Sequence, residues 1–175
     1  MIFVENFVKI LKKNKVDFFT GVPDSILKNL SLYLENFSIK KHIIAANEGA
    51  AVSVGIGYYL SRKKIPCVYF QNSGLGNAIN PLISIAHKEV YSIPLLLIIG
   101  WRGSPNQPDE PQHKAKGKIT KNLLQLLKVK HCVLKSEKDL LKLKNLIKIS
   151  YREKRIVACL ICLLYTSPSP RDGLL

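Results

Sequence analysis

Short apolar runs, each followed by a stretch of helical length, are what most narrows the folds open to this chain. The runs are Val16 to Thr20, His42 to Ala46, Pro66 to Gln71, Ser92 to Trp101, His131 to Leu134 and a last one from Arg155. A strand covered by helices on both sides reads as a continuous apolar run, which is the mark of a parallel sheet. The alternation therefore predicts an α/β fold: an open, mainly parallel sheet with helices on both faces and right-handed crossovers. With 175 residues, one domain can bury its own core without covalent staples.

The segments between the runs carry helix signals. Phe3, Phe7, Ile10 and Leu11 recur at helical spacing within residues 2 to 14, and Ile26, Leu27, Leu30 and Leu34 do so further on. Asp24 or Ser25 is placed to cap the second of these helices. Gly49, Ala50, Ala51, Ser53, Gly55 and Gly57 make a helix of small residues, able to approach a neighbour closely despite the cost of glycine. Ser136 and Asp139 have the spacing of a capping box. Arg102 to Gly117, with Pro105, Pro108 and Pro111, reads as a long polar loop before a helix from about Ile119 to Leu127. From Tyr165 to Leu175 the pattern stops. That stretch has the composition of a disordered tail or of sequence carried over from a cloning adapter, so the domain is set at 1–164 and the natural protein is expected to continue past Leu164.

The formal charge of +15 raises the question of nucleic acid, because basic faces neutralise phosphates. The lysines, however, are spread along the chain and not interleaved with aromatics, as on a solvated surface. No nucleic acid is expected, while a mild attraction for anionic substrates is. Apolar residues make up 47% of the chain, yet no run reaches the roughly 18 residues of a membrane span. The N-terminus lacks a signal peptide's basic start and apolar stretch, so the chain is expected in the cytosol. The four cysteines read as free thiols; Cys159 and Cys162 lie three apart on a strand and so face opposite sides.

Ligands of open α/β sheets bind at the carboxyl ends of strands. Polar turns fall there: Gly21 to Ser25, Asn47 to Gly49, Asn72 to Asn77, and Trp101 to His113. Glu48 is the most informative residue, a carboxylate among Ala45, Ala46, Gly49, Ala50 and Ala51 at a helix start. On residues alone, a first-turn glutamate that complements the helix dipole is the simpler reading. Asn72, Ser73, Gly74, Leu75 and Asn77 form a glycine-rich turn without the lysine of a phosphate-binding loop. Arg102, Gln112, His113 and Lys114 offer donors for an anion. Asp109 and Glu110 are adjacent, but two side chains do not make a metal site.

Together these turns resemble a known family. GVPDS at 21–25, HIIAANEGAAVSVGIGYYL at 42–60, VYFQNSGLGNAINPL at 68–82, YSIPLLLIIGWRG at 91–103 and DEPQHKAKGKIT at 109–120 are similar to phosphonopyruvate decarboxylases. The α subunits of sulfopyruvate decarboxylases share much of the pattern. The resemblance runs over about residues 1–163 and implies the pyrimidine-binding domain of a thiamine-diphosphate-dependent enzyme. It implies that Glu48 meets the aminopyrimidine ring and activates the cofactor, with Asn72, Ser73, Gly74, Leu75 and Asn77 lining that pocket. Asp24, Arg102, Gln112 and His113 would lie on the substrate side, and the substrate would be an anionic 2-oxo acid, 3-phosphonopyruvate or sulfopyruvate. Family members hold the diphosphate and Mg2+ through a second domain with a Gly-Asp-Gly motif that this sequence lacks. The resemblance thus implies a partner, either a missing C-terminal domain or a separate β subunit, and a homo-oligomer. A chain without that domain is expected to be inactive alone. A non-catalytic basic binding module is the remaining reading from another class.

Overall fold

The computed structural model describes residues 2–105 and 108–162. The expectations for the tail from Tyr165 lie outside the described residues. Helix α1 (Val4–Lys13) precedes β1 (Phe19–Gly21), and α2 (Lys28–Glu35) leads to β2 (His42–Ile44). Then come α3 (Glu48–Arg62), β3 (Cys67–Gln71), α4 (Leu75–Pro81), β4 (Leu96–Gly100) and α5 (Pro111–Leu126). The chain finishes with β5 (Lys130–Leu134), α6 (Leu140–Glu153) and β6 (Val157–Ile161).

The strands form one six-stranded sheet in the order β2-β1-β3-β4-β6-β5, and every pairing is parallel. Strand residues alternate between two apolar layers, as the period of two requires. Cys67, Tyr69, Leu96, Ile98, Val157 and Cys159 pack with α1, α2 and α6 on one face. Val68, Phe70, Leu97, Ile99, Ala158 and Leu160 pack with α3, α4 and α5 on the other. Strands β4 and β6 are buried along their whole length, which is why their sequences show no polar alternation. No helix among the described residues is long and apolar enough to cross a membrane.

Local chemistry explains most of the element ends. Helix α1 buries Val4, Phe7, Val8 and Leu11 and carries Glu5 in its first turn and Lys12 and Lys13 in its last, the arrangement that complements the helix dipole. Asn47 caps α3 by accepting the Ala50 N–H at 2.9 Å, and Ser136 and Asp139 form the expected capping box. Gly55 lets α3 lie against β3, since a Cβ there would come within 2.8 Å of the Val68 side chain. Gly57, by contrast, faces open space.

Three expectations are corrected. The stretch from Pro111 to Gly117 is helix, not loop: Pro111 sits in the first turn of α5, where a missing N–H costs nothing. Its early residues are polar and largely exposed, so no apolar periodicity marked them. Neither Asp24 nor Ser25 caps α2; Asp24 Oδ1 instead accepts the Ile26 N–H at 2.9 Å in a tight turn. The run from Ser92 is strand only from Leu96, because Ser92 has φ of 52° and Pro94 cannot donate to a ladder.

Candidate functional site

Strands β1 and β3 are neighbours, yet α2, which follows β1, covers one face and α4, which follows β3, covers the other. The connections leaving these strands run to opposite faces, which makes the carboxyl edge between them the topological switch point where such sheets receive ligands. Glu48, the first residue of α3, stands half-buried there. Its side chain lies over Gly74, where any Cβ would overlap the carboxylate. Asn77 Nδ2 donates to Glu48 Oε2 at 2.8 Å. Among the described residues Oε1 accepts no hydrogen bond, so one carboxylate oxygen is held and the other is available.

A second group surrounds Asp24. Gln71 Nε2 donates to Asp24 Oδ1 at 3.1 Å, and Ser73 Oγ donates to Gln71 Oε1 at 2.8 Å. Asp24 Oδ2 is buried without a partner and packs so closely over Gly100 that a Cβ there would overlap it. An acceptor left bare in this way is costly unless something donates to it. The sequence reading did not single out Gln71. Its signal was modest: a polar residue closing an otherwise apolar strand at the carboxyl edge.

Arg102 forms a third group. Its Nε and Nη2 donate to the two oxygens of Asp109 at 2.9 and 2.6 Å, and Nη1 donates to Ser25 Oγ at 3.1 Å. Gly103 and Glu110 add their N–H groups to the same carboxylate at 2.8 and 2.9 Å. The Arg102 guanidinium, ahead of these backbone donors, holds Asp109 well below the usual carboxylate range. Asp109 thus anchors Arg102. Among the described residues no group of three or more His, Cys, Asp or Glu side chains is placed to hold a metal ion.

Asn72 is buried and fully engaged. Its Nδ2 donates to the Arg102 carbonyl at 3.0 Å and to Thr120 Oγ1 at 2.9 Å, while its Oδ1 accepts the Arg102 N–H at 3.1 Å. The side chain therefore fastens the turns after β3 and β4 to α5. Leu75 is buried in the layer beneath α3 and α4. Gln112 is exposed in the first turn of α5, and His113 beside it is half-buried with Nδ1 lacking a partner. Neither is hydrogen-bonded to Glu48 or Asp24. A cavity of about 230 Å³ lined by His87, Lys88, Lys128 and Arg155 lies at the opposite, amino edge of the sheet.

The residues fit a pyrimidine-type heterocycle on two counts: Glu48 offers a carboxylate oxygen that accepts no hydrogen bond among the described residues, and Gly74 leaves the space in which the Glu48 side chain lies. The chain is 41% identical over 106 residues to the phosphonopyruvate decarboxylase of Streptomyces viridochromogenes, a match covering 61% of this chain and 26% of that protein. It is 34% identical over 162 residues to sulfopyruvate decarboxylase subunit alpha of Methanococcus maripaludis, covering 92% of this chain and 95% of that one. The chain thus spans 26 to 30% of the length of the phosphonopyruvate decarboxylases it matches. A thiamine diphosphate-dependent 4-hydroxybenzoylformate decarboxylase from Rhodococcus jostii superposes with a TM-score of 0.65 at 20% identity, over 99% of this chain and 33% of that one. That likeness shows the fold. Residues 1–126 match the family described as thiamine pyrophosphate enzyme, N-terminal TPP binding domain. The chain therefore belongs to the thiamine pyrophosphate enzyme family and carries its N-terminal TPP binding domain.

Proposed function

We propose that this chain supplies the pyrimidine-binding half of a thiamine-diphosphate-dependent decarboxylase acting on 3-phosphonopyruvate, yielding phosphonoacetaldehyde and CO2. The observation that carries the reading is the Glu48 carboxylate, pinned through Oε2 by Asn77 and open at Oε1. Oε1 is the atom that would face the aminopyrimidine and would hold the proton shared with its ring nitrogen when the cofactor is bound. Gly74 keeps the space that lets Glu48 lie at that depth. Ser73 and Leu75 complete the turn around it.

When bound, thiamine diphosphate supplies the electron sink that takes up the pair released as CO2 leaves. The chain contributes geometry and charge. Asp24, steadied by Gln71, is the polar group on the substrate side, with Arg102 held towards Ser25. Gln112 and His113 are the remaining donors available to an anionic head group. Diphosphate and Mg2+ fall to a diphosphate-binding segment, in a C-terminal domain or a separate β subunit.

A second reading takes sulfopyruvate as the substrate and this chain as an α subunit. It is favoured by one observation, the 95% coverage of the Methanococcus maripaludis subunit. The two head groups are both tetrahedral oxyanions, so the same donors suit either. The test is CO2 release from each 2-oxo acid by the chain assembled with its diphosphate-binding segment, with the aldehyde identified by NMR. Preferred release of phosphonoacetaldehyde is expected; preferred release of sulfoacetaldehyde establishes the second reading, and turnover of neither overturns both.

A further inference from the structure

Cys159 and Cys162, three residues apart in sequence, lie in opposite apolar layers. The structure pairs Cys159 differently. Cys132 on β5 stands in register with Cys159 on β6, and their sulfurs are 3.3 Å apart. Both are free thiols. In-register neighbours of a parallel pair project to the same face, with strands about 4.8 Å apart. That spacing falls within the Cα separation of about 4.4 to 6.8 Å that a disulfide tolerates. The sulfurs need to close by only about 1.3 Å to reach a bond of about 2.05 Å, which side-chain rotation supplies.

The two thiols also differ in a way that suits exchange chemistry. Cys132 is half-buried on the edge strand, and the hydrogen bond with Cys159, then the nearby Lys142 ammonium, hold its thiol below the ordinary value. Cys159 is fully buried, and burial pushes its thiol up. The less buried, more acidic sulfur is the one an oxidant meets first, and the fully buried one waits beside it.

We propose that Cys132 and Cys159 are a redox-active pair that closes into a reversible disulfide tying the edge strand β5 to β6. The Cys132 thiolate attacks one sulfur of a small disulfide such as oxidised glutathione, breaking its S–S bond and expelling one thiolate. The Cys159 thiol then gives up its proton and attacks the Cys132 sulfur, expelling the second. Two electrons pass from the protein thiols to the small disulfide, which leaves as two thiols. The pair lies at the far side of the sheet from Glu48, because β5 and β2 are its opposite edges. Its oxidation therefore acts on the sheet edge and not on the Glu48 site.

The test is to treat the folded chain with oxidised glutathione, alkylate the remaining thiols, and map the digest by mass spectrometry. The expected result is a peptide cross-linked between Cys132 and Cys159, with Cys67 and Cys162 alkylated, reversed by dithiothreitol. Cys162→Ser should leave the cross-link unchanged and Cys132→Ser should abolish it. Because the wild-type map is decisive, a variant that fails to fold does not blur the answer. Recovery of all four cysteines as alkylated thiols, or a cross-link to Cys67 or Cys162 instead, overturns the proposal.

Discussion

Asn77 and Glu48 lie 29 residues apart and meet only because α3 and α4 pack side by side. Glycine at 74 makes that meeting possible, since a methyl group there would take the place of the Glu48 carboxylate. The displaced atoms belong to a half-exposed, flexible side chain, so Gly74→Ala should fold normally. We expect a stability change within about 1 kcal/mol, read by urea denaturation. In the assembled enzyme the same variant should lower kcat by about 100-fold, the scale of a misplacement near 1 Å. Asn72 behaves in the opposite sense. Asn72→Ala strips partners from the Arg102 N–H, the Arg102 carbonyl and the Thr120 hydroxyl and should cost about 2–4 kcal/mol in the same measurement. Of these residues, only the place of Glu48, a carboxylate entering a helix of small residues, was legible in the local pattern; its proposed role rests on the family resemblance. The Asn77 contact and the Asn72 brace depend on packing between distant segments, which no local pattern encodes.

The elements were legible wherever burial left a periodic trace. Strands β3, β4 and β6 announced themselves as apolar runs, and α1 by its spacing. The start of α5 was hidden, because Pro111 to Lys118 carries no large apolar side chain and its one buried residue, Gly117, has no side chain to reveal it. Gly117 lies where a Cβ would overlap the Gly103 carbonyl, so Gly117→Val should unseat α5 and lower Tm in a thermal melt. Element ends also govern the acid response. Asp139, bonded to Lys142 first and then to the Lys135 and Ser136 N–H groups, is held down at about 2. Glu153, bonded to Lys130 and Arg152, is likewise held at about 2. An unfolded carboxylate titrates near about 4, so both groups contribute stability that is complete above that pH and lost as pH falls towards about 2. The urea midpoint should therefore drop across that window, and Asp139→Asn should flatten the drop.

At the scale of the molecule, the sheet and its two apolar layers form the base, and on the proposed reading the decarboxylation site lies at the carboxyl edge between β1 and β3. The fold class could be read from the alternation of runs and helices; the strand order could not, because crossovers leave no trace in local sequence. On the proposed reading this edge is half of a composite site. The 175-residue chain alone should therefore release no CO2 from 3-phosphonopyruvate, and adding the diphosphate-binding segment should restore release. The most direct measurement is proton–deuterium exchange at C2 of thiamine diphosphate, followed by NMR in the assembled enzyme with Glu48 and with Glu48→Gln. The account predicts that the variant stays folded while exchange falls by about 100-fold or more. An unchanged exchange rate in a folded Glu48→Gln enzyme would contradict it.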